Sequence, residues 1–418
     1  MIGDPWYDGH EIFHSAPLLL KRKFLETMYG EAVRVGQIFD ELCRIVVAEP
    51  SLLDSFFCLP PFYKLMWLAS EGFWHGFARM DLFWLEDGGF KIAELNADTP
   101  SGQIEAVLPP RLLAPHTGTL VDVNAEYEER FWQLCSSVHR ARCGEDRPLK
   151  RVLILYPTDL AEDNPLIRLY QKWFEVRGLE VELGSPFNLQ RTEEGGIAVF
   201  GKRIDLVLRH YKTDWWGERP RIFDDEDEVP DPEPLQRELL TLLDAERNAK
   251  VTVINPFGAL LPQNKRSMAF MWEEMHRFSE AGQEAIRDLI PETRRLEGFD
   301  PEQLKREKDD WVLKSDFGCE GDEVLVGAFT DTETWHRCIE HALPGIWVAQ
   351  RFFRIRPFRD ALPNYGVYLI AGQPAGVLVR LAQPGVTTGY DARVVSAFVS
   401  PDEFNKMDEG SHFGSKPV

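Results

Sequence analysis

Cysteine is scarce in this sequence, and no cysteine pair has the spacing of a zinc site. The 418 residues include six cysteines, none of them in a Cys-x-x-Cys motif. A disulfide framework and a cysteine-based zinc site are therefore not expected. A continuous apolar run of transmembrane length is also missing, because the most apolar stretch, residues 52–69, contains Asp54, two prolines and Lys64.

Positive charge is the second shortage. The chain has 47 Lys and Arg against 68 Asp and Glu, a net charge of −21, which argues against nucleic acid as a partner and is compatible with a cationic substrate. Residues 224–234 form one acidic run, either a solvated loop or a rim that attracts an amine. The N-terminal segment lacks the basic start and apolar region of a signal peptide. We therefore expect a cytoplasmic protein without a membrane partner.

What the chain does contain is typical of a globular protein of two or three domains, with 44% hydrophobic and 28% charged residues. Apolar residues recur at helical spacing through residues 15–80 and again through 120–142. Between them, residues 79–97 have the pattern of a hairpin whose turn lies at Asp87, Gly88 and Gly89.

A different rhythm starts at Arg151. Short β-branched runs alternate with a helical segment at 165–177, and the last of these runs is residues 251–257, which predicts a small parallel sheet. A helix is then predicted over 265–280, with a methionine-rich stripe that we interpret as core. From Trp311 the sequence is mainly of β type.

The stretch FKIAELNADTP, residues 90–100, contains the first candidate site. Glu94, Asn96 and Asp98 occupy alternate positions at the end of a predicted strand, so their side chains are expected on one face. Such oxygen-bearing groups can bind a cation. The alternative is a polar strand end in water, followed by ordinary turn residues.

The stretch WVLKSDFGCEGDEVLVG, residues 311–327, contains the second candidate site. Gly318 and Gly321 lie in a loop between two β-type runs, and Lys314 ends the first run. Closely spaced backbone N–H groups and a lysine can cradle a phosphate. The order differs from the Walker motif because the lysine precedes the glycines, and a plain turn is the alternative.

Three further residues add to this picture: Lys265 at a helix start, Gln350 at a strand end and Arg380 at another strand end. Taken singly, they are a solvated lysine, an edge-strand glutamine and a surface arginine. Taken together with Lys314 and the glycine loop, they suit a nucleoside triphosphate, while Asp81, Glu94 and Asn96 supply oxygen ligands for Mg²⁺.

These motifs follow an order that resembles glutathionylspermidine synthase-like proteins, which are circularly permuted ATP-grasp ligases. The matching segments are RMD at 79–81, ELNADTP at 94–100, RHYKTDWW at 209–216, QNK at 263–265, VLKSDFGCEG at 312–321 and the strand that ends near Arg380. The resemblance implies an α/β (α+β) fold with an ATP-grasp core formed by residues 1–145 and 256–418. A small α/β domain, residues 146–255, lies between the two parts.

The resemblance also implies an ATP-dependent carboxylate–amine ligase that uses Mg²⁺ and forms an amide through an acyl phosphate. Its implied residues are Asp81, Glu94 and Asn96 as magnesium ligands, Arg79 and Arg380 as catalytic cations at the phosphoryl and acyl phosphate groups, Lys265 and Lys314 on the ATP phosphates, Gln350 near the adenine, Gly318 and Gly321 in a lid, and Ser101 at the substrate. The implied substrates are a small-molecule or peptide carboxylate and an amine, polyamines included.

Two departures leave the substrates open. Ser101-Gly102 stands where the family commonly has Thr-Ser, and LAQPGVTTG after Arg380 lacks the expected acidic residue. Two other functions remain as alternatives. One is an ATP-grasp protein that binds nucleotide without catalysis. The other is a zinc hydrolase, since His10, Glu11 and His14 match the H-E-x-x-H pattern.

Overall fold

The computed structural model describes residues 10–217, 234–317, 324–343, 345–382 and 392–400, with the backbone of strand residues 6–7 and 412–413. The strands in these ranges are β1 (Trp6–Tyr7), β2 (His10–Glu11), β3 (Phe13–Leu20), β4 (Phe77–Trp84), β5 (Phe90–Asn96), β6 (Val121–Asp122), β7 (Arg151–Leu155), β8 (Glu180–Gly184), β9 (Leu189–Arg191), β10 (Ile197–Val199), β11 (Lys202–Ile204), β12 (Leu206–Arg209), β13 (Thr252–Ile254), β14 (Thr293–Arg295), β15 (Trp311–Ser315), β16 (Val324–Val326), β17 (Trp347–Arg351), β18 (Leu362–Ile370), β19 (Gln373–Ala382), β20 (Arg393–Val399) and β21 (His412–Phe413). The α-helices are α1 (Arg22–Ala48), α2 (Leu52–Ser55), α3 (Pro61–Ala69), α4 (Gln103–Leu113), α5 (Tyr127–Cys143), α6 (Asn164–Glu175), α7 (Gln236–Arg247), α8 (Leu260–Gln263), α9 (Arg266–Glu273), α10 (Glu280–Leu289), α11 (Pro301–Arg306) and α12 (Thr332–Ala342).

The largest sheet combines strands from both ends of the chain, in the order β21-β3-β20-β19-β18-β4-β5, with β6 beside β20. Helix α1 covers one face and packs closely against it. A Cβ added at Gly36 of α1 would be only 3.0 Å from Leu369 Cδ1 of β18. Helices α4 and α5 cover the opposite face, where Val107 and Phe131 share a core cluster with Tyr368 and Leu378. Because side chains alternate along a strand, each strand contributes to both cores.

A second sheet is parallel, in the order β13-β12-β7-β8. It confirms the parallel sheet predicted from the β-branched runs. The side chains of β7 from Val152 to Leu155 and those of β12 are fully buried or nearly so, as expected for a sheet with helices on both faces. Helices α5, α6 and α7 pack against this part of the chain.

A third sheet, in the order β14-β17-β15-β16, is antiparallel. It encloses a separate small core with helices α11 and α12, in which Trp311 and Trp335 are the largest side chains. The sheet lies beside β5, and Lys314 of β15 contacts the middle of that strand at Ala93.

Several expected boundaries were wrong. The segment 15–80 is not helical throughout, since β3 occupies residues 13–20 and β4 begins at Phe77. The helix expected over 265–280 ends at Glu273, while its Met268 and Met271 are core residues as predicted. Helix α12 interrupts the region expected to be mainly β. The domain boundaries after residues 145 and 255 stay predictions.

No helix in the described ranges combines the length and the apolarity needed to cross a membrane.

Candidate functional site

The hairpin of β4 and β5 brings four of the predicted site residues together. Arg79 lies directly opposite Asn96, and Asp81 lies directly opposite Glu94, so all four side chains project from the same face of the large sheet. The amide nitrogen of Asn96 donates to Glu94 Oε1 at 3.3 Å, which directs the Asn96 carbonyl oxygen away from Glu94. Two carboxylates and a carbonyl oxygen thus lie side by side at the end of the hairpin.

Asp81 is the centre of a buried charge network. Arg79 Nε donates to its Oδ1 at 3.0 Å, and Arg380 Nη2 donates to its Oδ2 at 2.7 Å. Burial raises the pKa of Asp81, but the two guanidinium groups outweigh burial and lower the pKa to about 2. The carboxylate therefore stays ionised, and it holds Arg79 and Arg380 together from strands β4 and β19.

A bulge in β5 connects the hairpin to the third sheet. The pairing of β4 with β5 shifts by one residue after Asp81, which leaves Ala93 out of register. The Ala93 carbonyl accepts a hydrogen bond from Lys314 Nζ at 2.9 Å, and Gln350 Oε1 accepts another at 2.8 Å. The Gln350 amide nitrogen donates to Thr293 Oγ1 at 3.1 Å. The structure thus brings Gln350 to Lys314, and its amide is engaged by protein groups.

Lys265 and Lys314 are both buried, with 5% and 6% of their surfaces exposed. Lys265 precedes α9, and its backbone N–H donates to the Asp316 carbonyl just after β15. Burial lowers the pKa of Lys314 to about 8, and the charge of Lys265 acts in the same direction while Glu94 opposes it. Two neighbouring buried cations favour an anion between them, so this pair fits the phosphates of ATP.

The oxygen atoms of the β4–β5 hairpin suit Mg²⁺. Carboxylate and amide oxygens are its preferred protein ligands, and it commonly keeps waters and phosphate oxygens as well. Glu94 and Asn96 present such oxygens, and Asp81 retains lone pairs beyond those that accept from the arginines. The oxygens of Asp81, Glu94 and Asn96 therefore suit a Mg²⁺ ion that also binds water or phosphate. In the ranges that the structure describes, no group of three His, Cys, Asp or Glu side chains suited to a metal occurs.

Asp98 does not join Glu94 and Asn96, contrary to the expectation from their alternate spacing. Strand β5 ends at Asn96, and the Asp98 carboxylate accepts from Arg209 Nη2 at 2.5 Å and from the Thr213 backbone N–H at 2.7 Å. Arg209 is fully buried. The segment RHYKTDWW therefore holds the end of the NADTP run.

Two further side chains fix the backbone of this run, and the sequence analysis assigned them no role. Asn255 Nδ2 donates to the carbonyls of Ala97 and Phe77 at 2.8 Å. Gln263 Oε1 accepts from the N–H groups of Ala97 and Asp98 at 2.8 and 3.2 Å. Gln263 belongs to the QNK motif, which was the available signal, whereas Asn255 had none beyond its place after a strand.

Ser101 contacts Arg79 through its backbone carbonyl. Its carbonyl accepts from Arg79 Nη1 at 2.9 Å and from the Tyr368 hydroxyl at 2.8 Å, while the residue as a whole is exposed. Gly102, which follows, has φ +92° and begins α4. An added Cβ there would be 2.6 Å from Leu378 Cδ2, so a side chain at this position would strain the backbone and displace Leu378.

Gly318 and Gly321 lie outside the residues that the structure describes, as does nearly all of the acidic run at 224–234.

The zinc-hydrolase alternative is not supported by local structure. His10 is in β2 and His14 is in β3, whereas the H-E-x-x-H site needs both histidines on one helical turn. Extended chain separates residues four positions apart by about 13 Å.

Comparisons with known proteins identify the family and the fold. The sequence profile described as glutathionylspermidine synthase preATP-grasp matches residues 20–400. A glutathione synthetase-like effector from Globodera pallida is similar in structure, with a TM-score of 0.58, 11% identity, and coverage of 94% of this chain and 92% of that one. A protein assigned as a gamma-glutamylcysteine synthetase from Methylobacillus flagellatus has a TM-score of 0.48, 13% identity, and coverage of 84% and 87%. A search of curated proteins gives no significant match.

Proposed function

Because the chain belongs to the glutathionylspermidine synthase preATP-grasp family and has an ATP-grasp-like fold, we propose that it is an ATP-dependent carboxylate–amine ligase. The observation that carries this proposal is the meeting of distant segments at one site. Asp81 is bonded to Arg380 across 299 residues, and Lys314 is bonded to Ala93 across 221 residues. Carboxylates, lysines and arginines that lie far apart in sequence thus form one charged centre.

The chemistry follows from the weakness of a carboxylate as an electrophile. Transfer of the ATP γ-phosphoryl group to the acid gives an acyl phosphate and ADP, and attack by an amine then releases phosphate and forms the amide. Lys265 and Lys314 would bind the ATP phosphates. Arg79 and Arg380, oriented by Asp81, would stabilise the negative charge that develops as the phosphoryl group moves.

Asp81, Glu94 and Asn96 would hold Mg²⁺, which supplies Lewis-acid neutralisation of phosphate oxygens when bound. We assign the acid substrate to the region of Ser101, since the Ser101 carbonyl is bonded to Arg79 and α4 begins beside it. Gly318 and Gly321 are proposed to belong to a lid that excludes water from the acyl phosphate. The net charge of −21 is compatible with a cationic amine.

A screen of acids against nucleophiles tests the function. Purified protein would be incubated with ATP, Mg²⁺ and one acid from a panel of glutathione, gamma-glutamylcysteine, L-glutamate and D-alanine, with spermidine, glycine or hydroxylamine as the nucleophile. We expect acid-dependent release of ADP and a mass-detected amide or hydroxamate. Release of AMP, or products without a C–N bond, would contradict the mechanism.

The second candidate, a nucleotide-binding protein without catalysis, predicts a different result. Such a protein would bind ATP in calorimetry yet release no ADP with any acid. The pair of arginines held by Asp81 favours the ligase, because a site that only binds nucleotide does not need cations placed for phosphoryl transfer.

A further inference from the structure

Glu105 is an acidic residue beside the site that no motif singled out. It is the third residue of α4, in the first turn of the helix. The Cβ position of Gly102, one turn earlier, is 3.5 Å from Arg79 Nη1 and 2.9 Å from the Tyr368 hydroxyl. Gly102 is the N-cap of α4, so the first turn of the helix, which includes Glu105, begins beside Arg79 and Tyr368.

The sheet below α4 fixes this placement. Arg380 and Leu378 are two residues apart on β19 and therefore project from the same face. Leu378 packs in one cluster with Ile104 and Ala106, the two neighbours of Glu105. The first turn of α4 thus lies over the strand that carries Arg380.

The environment of the Glu105 carboxyl is mixed. Burial raises its pKa, while Arg79 and Arg380 are close enough to oppose the rise. Within the described ranges, Glu105 makes no ion pair or side-chain hydrogen bond with another residue. It is therefore a half-buried carboxylate near the two arginines, and it forms no ion pair with either of them.

Amide formation needs such a group. At neutral pH an amine substrate is an ammonium ion, which has no lone pair to attack an acyl phosphate. Asp81 is a poor proton acceptor, because its carboxylate already accepts hydrogen bonds from Arg79 and Arg380. Glu94 lies among the proposed magnesium ligands, and the lysines and arginines are cations.

We propose that Glu105 accepts one proton from the incoming ammonium group, an inference that rests on the proposed ligase function. The ammonium group gives one proton to the Glu105 carboxylate, and the neutral nitrogen forms the C–N bond with its lone pair. The C–O bond to phosphate then breaks, and the departing phosphate takes the second nitrogen proton. Glu105 finally releases its proton to solvent, so atoms and charge balance.

The test compares two nucleophiles in Glu105→Gln. Hydroxylamine is largely uncharged at neutral pH and needs no proton acceptor, whereas spermidine and glycine do. With the acid that the screen identifies, we expect Glu105→Gln to form hydroxamate at a rate within about 3-fold of wild type and amide at least about 10²-fold more slowly. The amide deficit should narrow as pH rises and supplies free amine.

Controls separate this role from a structural one. Glu333→Gln changes an exposed glutamate in the first turn of α12 and should leave both rates unchanged. Glu105→Asp should recover part of the amide rate, and thermal unfolding should show that each variant is folded. Equal losses with both nucleophiles, or an unchanged amide rate in Glu105→Gln, would overturn the inference while leaving the ligase function intact. A wild-type protein that forms neither hydroxamate nor amide would overturn both.

Discussion

Glu94 connects the hairpin to the proposed magnesium site, since it lies opposite Asp81 and accepts from Asn96. We expect Glu94→Gln to keep the shape but lower turnover by about 10²-fold, the typical cost of losing one preorganised electrostatic group. ATP binding should persist, and excess Mg²⁺ should partly restore the rate. Steady-state kinetics over a range of Mg²⁺ concentrations measures this. Glu86→Gln, at an exposed position, is the control, and equal turnover in the two variants would contradict the assignment.

Lys314 should behave differently because it has a structural as well as a proposed ligand role. Lys314→Ala removes a phosphate contact present in both ground and transition states, so ATP affinity and rate should both fall. It also leaves the Ala93 carbonyl and Gln350 Oε1 without their donor, at a cost of about 1–3 kcal/mol. Calorimetric titration with ATP and urea denaturation test the two parts. Wild-type ATP affinity would remove Lys314 from the site.

Asp98 is predicted to be a stabilising residue rather than a metal ligand. Asp98→Asn removes the negative charge of the carboxylate that pairs with the buried Arg209 in the described structure. We expect the free energy of unfolding to fall by about 3 kcal/mol, as for other broken buried ion pairs. Asp87→Asn, in the exposed hairpin turn, should change it little. A Mg²⁺-dependent defect in folded Asp98→Asn would instead return Asp98 to the metal site.

At the scale of elements, the start of α4 depends on Gly102. Gly102 and Gly88 have φ of +92° and +93°, but only Gly102 has neighbours where a Cβ would lie. Gly88→Ala therefore measures the backbone strain alone, about 1–2 kcal/mol. Gly102→Ala adds contact with Leu378 and Tyr368, so its unfolding midpoint should be lower than that of Gly88→Ala. Equal midpoints would show that α4 can shift freely.

Local patterns predicted some elements well and others not at all. The β4–β5 hairpin and the parallel sheet follow from turn residues and β-branched runs, which act within a few residues. Strand β3 was missed because its segment does not alternate and its main partner, β20, lies near the other end of the chain. Asp98 was placed with Glu94 and Asn96 for a similar reason. Its partners Arg209 and Thr213 are more than a hundred residues away, and spacing along one strand cannot reveal them.

At the scale of the whole molecule, stability should depend on pH through Glu246. This residue of α7 is buried, and burial raises its pKa to about 7 from an ordinary 4.5. In the unfolded chain the group ionises near pH 4.5, so its folded-state penalty is absent below that pH. The penalty grows as pH rises and is complete above pH 7.

Glu246→Gln removes this penalty and should stabilise the protein increasingly between pH 5 and pH 8, by up to about 3 kcal/mol. Urea denaturation at pH 5, 6.5 and 8 measures the difference in the free energy of unfolding between the variant and the wild type. Glu333→Gln, at an exposed position, should show no such trend. A difference independent of pH would show that Glu246 is ionised throughout.

The joining of the two chain ends in the large sheet also affects synthesis on the ribosome. Strand β4 can pair with β5 soon after both leave the ribosome. The other edge of β4 cannot pair until β18 has been synthesised, and Asp81 cannot bond Arg380 until 299 more residues have been added. At about 5–20 residues per second, that wait lasts about 15–60 s. Throughout that interval, the nascent chain carries an unpaired strand edge, and Asp81 lacks one of its two arginine partners. Translation speed and early chaperone contact are therefore expected to influence the yield of folded protein.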